Sequence, residues 1–91
     1  MGFAWDPRKA GRNLAKHGVS FDEAKTVFDD DLFLVFEDPD HSAEESRYII
    51  MGQSTQGRLL VVAYTERTDT IRLISARRAT RQERRVYAEE I

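Results

Sequence analysis

Apolar residues recur along this chain in two rhythms. From Pro7 to His17 they fall three or four positions apart, at Ala10, Leu14 and His17, which is the spacing of one helical face. Asp6-Pro7 supplies the start of this helix, with Asp6 as cap and Pro7 in the first helical position, and Gly18 suits a left-handed stop. Ser20 and Glu23 have the spacing of a capping box and open a second helix with Phe21, Ala24, Val27 and Phe28 on its apolar side. That helix ends at Asp29-Asp30-Asp31. The rhythm then changes. Leu32 to Phe36 is a compact apolar run that predicts a strand, and the polar stretch from Glu37 to Glu45, with Pro39 inside it, predicts a loop. Further strands are predicted at Arg47 to Gln53, Arg58 to Thr65 and Thr70 to Ala76, joined by turns short enough for antiparallel hairpins. In the last of them Ile71, Leu73 and Ser75 are expected on one side, with Arg72, Ile74 and Ala76 on the other. Phe3-Ala4-Trp5 reads as a short leading strand. Thr80 and Glu83 form a second capping box that opens a closing helix with Val86, Tyr87 and Ile91 buried.

Strand, two helices, a run of antiparallel strands and a last helix make an α+β domain, expected to span residues 1–91 as one unit with helices packed on one sheet face. The other face is expected to stay partly open. With no cysteine, disulfides, thiolate zinc sites and a cysteine nucleophile are excluded. The two histidines share no short ligand spacing, so no metal site and no cofactor are expected. No apolar run approaches the length of a membrane span and the start lacks a signal-peptide pattern, so a soluble, cytoplasmic protein without membrane contact is expected.

The net charge of -2 hides a strong segregation. Residues 1–20 carry four basic side chains and one acid, residues 22–45 ten acids and one lysine, and residues 58–85 eight arginines and three acids. Basic segments that meet in the fold would make a phosphate-binding face; charges that stay apart only solvate separate surfaces.

Trp5-Asp6, the run Asn13 to Phe21 (Asn-Leu-Ala-Lys-His-Gly-Val-Ser-Phe) and Glu23-Ala24 resemble the amino-terminal signature of the BrnT toxin family. The carboxyl half is similar too, in Tyr64-Thr65-Glu66-Arg67, Ile71 to Arg77, and Glu83-Arg84 with Tyr87, while Glu45-Ser46-Arg47 matches a Glu-x-Arg element. Glu44 departs from the glycine frequent at that position. The resemblance implies a fold like the RelE ribonuclease toxins, cleavage of RNA, and a cognate BrnA-like antitoxin that binds the toxin and represses the shared operon. DNA is then met only indirectly, through the antitoxin.

Cleavage by the RNA's own 2′-hydroxyl needs a proton acceptor, cations for the phosphorane, and a proton donor for the leaving 5′-oxygen; the tethered nucleophile removes the need for a metal. A histidine's unperturbed pKa lies near neutrality, so His17 is the first candidate for proton transfer, although its place on an apolar stripe equally suits packing. Lys16 offers a point charge. Arg67 and Arg77 lie near strand ends and can stabilise the phosphorane, and Glu45 is available as a base or, more simply, to orient Arg47. Arg12, Arg47, Arg72 and Arg84 are the candidate RNA contacts, while Tyr48 and Tyr64 alternate with apolar neighbours and read as core. The same cations also fit a non-catalytic module that holds RNA or a protein. A DNA-binding repressor fits less well, since no helix-turn-helix pair lies in the basic region.

Overall fold

The computed structural model describes residues 2–38 and 46–90. The chain enters as β1 (Gly2–Ala4), turns into α1 (Pro7–His17), and passes through α2 (Phe21–Lys25) and a 3₁₀ turn (Thr26–Asp29) to β2 (Leu34–Glu37). β3 (Arg47–Gln53), β4 (Leu59–Arg67) and β5 (Thr70–Arg78) form an antiparallel meander, followed by α3 (Arg81–Glu89). The strands make one five-stranded sheet in the order β1-β5-β4-β3-β2, with β1 parallel to β5. This is the α+β arrangement expected.

Alternation along the strands divides the core in two. Ile50, Leu60, Val62, Tyr64, Ile71, Leu73 and Ala76 face α1 and α2 and pack with Val19, Phe21, Ala24 and Val27. Tyr48 and Tyr64 stack within this layer at 5.6 Å, as their spacing predicts. Met51, Leu59 and Val61 point the other way and meet Tyr87 of α3. The closing helix therefore lies on the face opposite the first two, not beside them. Tyr87 is its one buried residue; Val86, expected inside, is 38% exposed, and Ile91 lies outside the described residues.

Three local expectations change. In β5 the alternation slips, because Ala63 pairs with Ser75 but Tyr64 with Leu73, leaving Ile74 as the extra residue of a bulge. Ala76 thereby joins Ile71 and Leu73 inside, and Ser75 turns out. On α1, Leu14 is 51% exposed and Asn13 takes the buried position. The second helix tightens after Lys25, where the Thr26 hydroxyl donates to the Glu23 carbonyl at 2.6 Å and competes with a regular helical bond.

The helix ends follow the sequence more closely. Asp6 accepts from the Arg8 amide at 2.8 Å, and Gly18 adopts φ 68° as its N–H donates to Leu14. Thr80 and Glu83 make both bonds of a capping box. The Ser20 box is only half made: Ser20 accepts from the Glu23 amide, but the Glu23 carboxylate is 4% exposed and turns to Arg58 and the Ser54 hydroxyl. A carboxylate buried this deeply needs a cation. The Arg58 bonds, against the opposing effect of burial, hold its pKa below the usual range.

Candidate functional site

The register rules the open face of the sheet into rows. Arg47, Thr65 and Arg72 are cross-strand neighbours on β3, β4 and β5, and their side chains emerge on the side away from α1 and α2. The next row holds Ile49, Ala63 and Ser75, and the one beyond holds Met51, Val61 and Arg77. Three arginines from distant parts of the sequence thus share one face, with Arg67 on the same face at the β4–β5 turn.

The central row has unmet polar groups. Thr65 Oγ1 is buried and has no hydrogen-bond partner among the described residues, and Arg47 Nε is likewise buried without one there. Arg47 Nε lies 3.4 Å from Asp38 Oδ2, close enough for an ion pair but not aligned as a hydrogen bond. Groups left in this way cost about 1–3 kcal/mol each, more for a charged one.

Arg77 is held differently. Its two terminal nitrogens donate to both oxygens of Glu83 at 2.8 and 2.9 Å, a bidentate pair that fixes the guanidinium plane. Arg77 holds the Glu83 carboxyl down to about 2, against burial and with help from the Thr80 amide. Beside this pair a groove of about 370 Å³ runs between β2 and α3, floored by Phe36, Ile49, Met51 and Val61 and bounded by Val86.

Asn13 anchors α1 to the same end of β5. Its amide nitrogen donates to the Ala76 carbonyl at 2.8 Å and to the Val19 carbonyl at 2.9 Å, and its oxygen accepts from the Ala76 amide at 3.0 Å. Lys16 and His17 follow within one helical turn, so they sit at the Ala76–Arg77 end of the strand. Arg67 pairs with Thr70 at the opposite end. Six residues of strand, about 20 Å, separate it from Ala76.

The family model described as "Ribonuclease toxin, BrnT, of type II toxin-antitoxin system" matches residues 5–83. The chain belongs to the BrnT family. The crystal structure of the Brucella abortus ribonuclease toxin BrnT is similar in fold, with a TM-score of 0.70 at 23% identity over 89% of this chain and 99% of that one. No curated protein matches the chain. As a member of the BrnT family the chain is a ribonuclease toxin of a type II toxin–antitoxin system, which implies an RNA substrate and an antitoxin partner. No helix among the described residues is long and apolar enough to cross a membrane.

The residues singled out from the BrnT-like sequence are brought together only in part. Arg47 and Arg72 share a row, with Arg77 on the same face, whereas Lys16–His17 is anchored at the Ala76 end of β5 on the opposite, helical side of the sheet. Arg67 lies far from the Lys16–His17 corner but only one row from Thr65, where it lines a hollow together with Arg72. Arg12 and Arg84 are exposed on α1 and α3. Glu45 lies outside the described residues, and the carboxylate found beside Arg47 is Asp38. Sequence reasoning missed Thr65 and Asn13. The stretch between Arg47 and Arg72 gives no hint that Thr65 lies between them, because that depends on register. Asn13 had a signal: a polar residue at a helical position whose neighbours one turn away, Ala10 and His17, were read as buried.

Proposed function

We propose that this BrnT-family chain is a metal-independent endoribonuclease, acting in the cytoplasm and neutralised by a BrnA-like antitoxin. RNA lies across the open sheet face. The 2′-hydroxyl gives up its proton and attacks the adjacent phosphorus; the bond to the 5′-oxygen breaks, and that oxygen takes a proton. The products are a 2′,3′-cyclic phosphate and a 5′-hydroxyl.

The observation that carries this reading is the Arg47–Thr65–Arg72 row, in which two cations flank a buried hydroxyl that has no partner among the described residues. A phosphate oxygen that draws the Arg47 guanidinium towards it offers acceptors to the groups this row leaves unmet. Arg77 supports the phosphorane with the donors that Glu83 leaves unused, its plane already fixed for the task. Glu83, with its pKa near 2, stays ionised at neutral pH and serves Arg77 rather than accepting a proton. His17, with Lys16 beside it, is the proton-transfer candidate at the Ala76 edge of β5. Both ride on α1, on the other side of the sheet from Arg72 and Arg77, so RNA must pass around that edge to meet them. Asp38 performs for Arg47 the orienting role first considered for Glu45. Arg67, one row from Thr65 and lining the same hollow as Arg72, adds a third cation beside the phosphate. Arg84 on α3 extends the basic surface, while Arg12 on α1 lies on the other side of the sheet.

The test is to incubate the purified chain with RNA in EDTA and analyse the new ends. Cyclic phosphate and 5′-hydroxyl termini are expected, with cleavage lowered at least about 100-fold by Arg72→Ala or Arg77→Ala, the usual order for loss of a transition-state cation. Binding without any cleavage would replace this reading with that of a non-catalytic RNA-binding module.

A further inference from the structure

β2 is an edge strand that is apolar on both faces. It closes the sheet order on the side away from β1. Val35 pairs with Ile50 and so lies on the helical face, whereas Phe36 pairs with Ile49 and lies on the open face. Val35 is 44% exposed and Phe36 46%; just before the strand, Leu32 and Phe33 are 48% and 44% exposed. An edge of this kind is normally blunted by charge or covered, because its free backbone groups and apolar side chains recruit another strand.

The ladder shows which groups are free. The Asp38 amide donates to the Arg47 carbonyl at 3.0 Å. With the two-residue period of an antiparallel pair, the amides of Leu34 and Phe36 also point towards β3, and those of Val35 and Glu37 point outward.

We infer that the antitoxin neutralises this chain by adding a strand of its own along β2. This inference rests on the toxin–antitoxin reading above. A helix laid in the groove beside α3 would cover Phe36 and Val86 and leave Val35, on the other face, in water. A strand with alternating apolar side chains covers Val35 and Phe36 at once. Charge selects its sequence. Asp29, Asp31 and Glu37 are exposed at the two ends of the apolar run, so the partner strand is apolar in its middle and basic at its ends. The same acids disfavour a second copy of this chain, since antiparallel self-pairing centred on Leu34 sets Asp31 against Glu37. The added strand also brings antitoxin to the mouth of the groove beside Arg77 and Glu83, where it obstructs the RNA face.

The probe is the purified protein encoded beside the chain's own gene. Val35→Pro removes an outward N–H and places a ring on the outer edge without touching the β2–β3 ladder. It is expected to weaken binding at least about 100-fold, while Val35→Thr, which keeps the N–H, weakens it less than about tenfold. RNA cleavage by either variant alone is unchanged. In the unmodified complex, amide exchange at Val35 and Glu37 is expected to slow. Full-strength binding by a folded Val35→Pro chain, or continued fast exchange at both amides, overturns the inference and leaves the nuclease reading intact. If Val35→Pro does not fold, the exchange measurement decides alone. Failure of the unmodified chain to bind the neighbouring protein overturns both this inference and the proposed antitoxin. Protection of those amides in the chain by itself, with a doubled mass, assigns the edge to a second copy and overturns the inference as well.

Discussion

The side chain of Asn13 holds Ala76 as a neighbouring strand would, giving one bond to its carbonyl and taking one from its amide, at 2.8 and 3.0 Å. β1 covers the outer edge of β5 only from Thr70 to Arg72. Further along, a helix side chain stands in for the missing ladder and positions the Lys16–His17 corner as it does so.

Asn13→Ala is therefore expected to destabilise the fold by about 3 kcal/mol, since it leaves the Ala76 amide and carbonyl and the Val19 carbonyl without partners. Urea denaturation measures this. Asn13→Asp is expected to be as damaging, because it cannot donate to either carbonyl. A loss within experimental error would show that α1 docks through apolar contacts alone.

Glu83 gives a pH signature. Its folded pKa, about 2, lies below the ordinary value of 4.5, so its stabilisation is complete above about pH 4.5 and disappears as pH falls to about 2. With Glu83 30% and Arg77 42% exposed, screening leaves about 1–2 kcal/mol. Glu83→Gln should be the less stable protein at pH 7, with the difference from the parent closing near pH 2. Parallel stability curves across that range would contradict the assignment.

Tyr87 donates to Asp30 Oδ2 at 2.6 Å and is the main point at which α3 is held. Burial, aided by Asp30, pushes its pKa up to about 12, so its contribution is present below about pH 10 and is lost as pH rises through 12. Burial works to raise the Asp30 carboxyl as well, but the bonds from Tyr87 and from the Gln53 and Leu32 amides bring it below the ordinary value. Tyr87→Phe should cost about 1.5–3 kcal/mol, the range for a hydrogen bond to a charged group. Amide exchange in α3 should quicken more than in β4. Equal acceleration in both would mean that the helix opens only with the whole domain.

Thr68, in the two-residue turn between β4 and β5, has φ 36°, a region costly for a β-branched residue. Thr68→Gly is expected to stabilise the protein by about 1 kcal/mol, seen as a higher melting temperature. A lower melting temperature would show that the threonine side chain makes contacts that outweigh the strain.

The caps and most strand limits were legible in the sequence because they depend on neighbours. Asp6-Pro7, Gly18 and the Thr80–Glu83 box act within a few residues, and β3 begins and ends where its pattern predicts. What was not legible depends on distant partners. The Ile74 bulge follows from how β4 and β5 pair, and it decides which side of the sheet Ala76 and Ser75 take. The Glu23 carboxylate abandoned its own helix for an arginine 35 positions away. The site behaved likewise: family motifs named Arg47 and Arg72, but only the register placed them in one row with a threonine between them.

The pairing of β1 with β5 joins residues 2–4 to residues 70–72, across most of the fold. A polypeptide still emerging from the ribosome has no β5 to receive its first strand or to carry Arg72 and Arg77. The sheet must wait for its last strand, and closure over so long a separation slows folding. The arginine-bearing face therefore cannot exist until residues 70–78 are free to pair, and its cations are gathered only as the last strand closes the sheet.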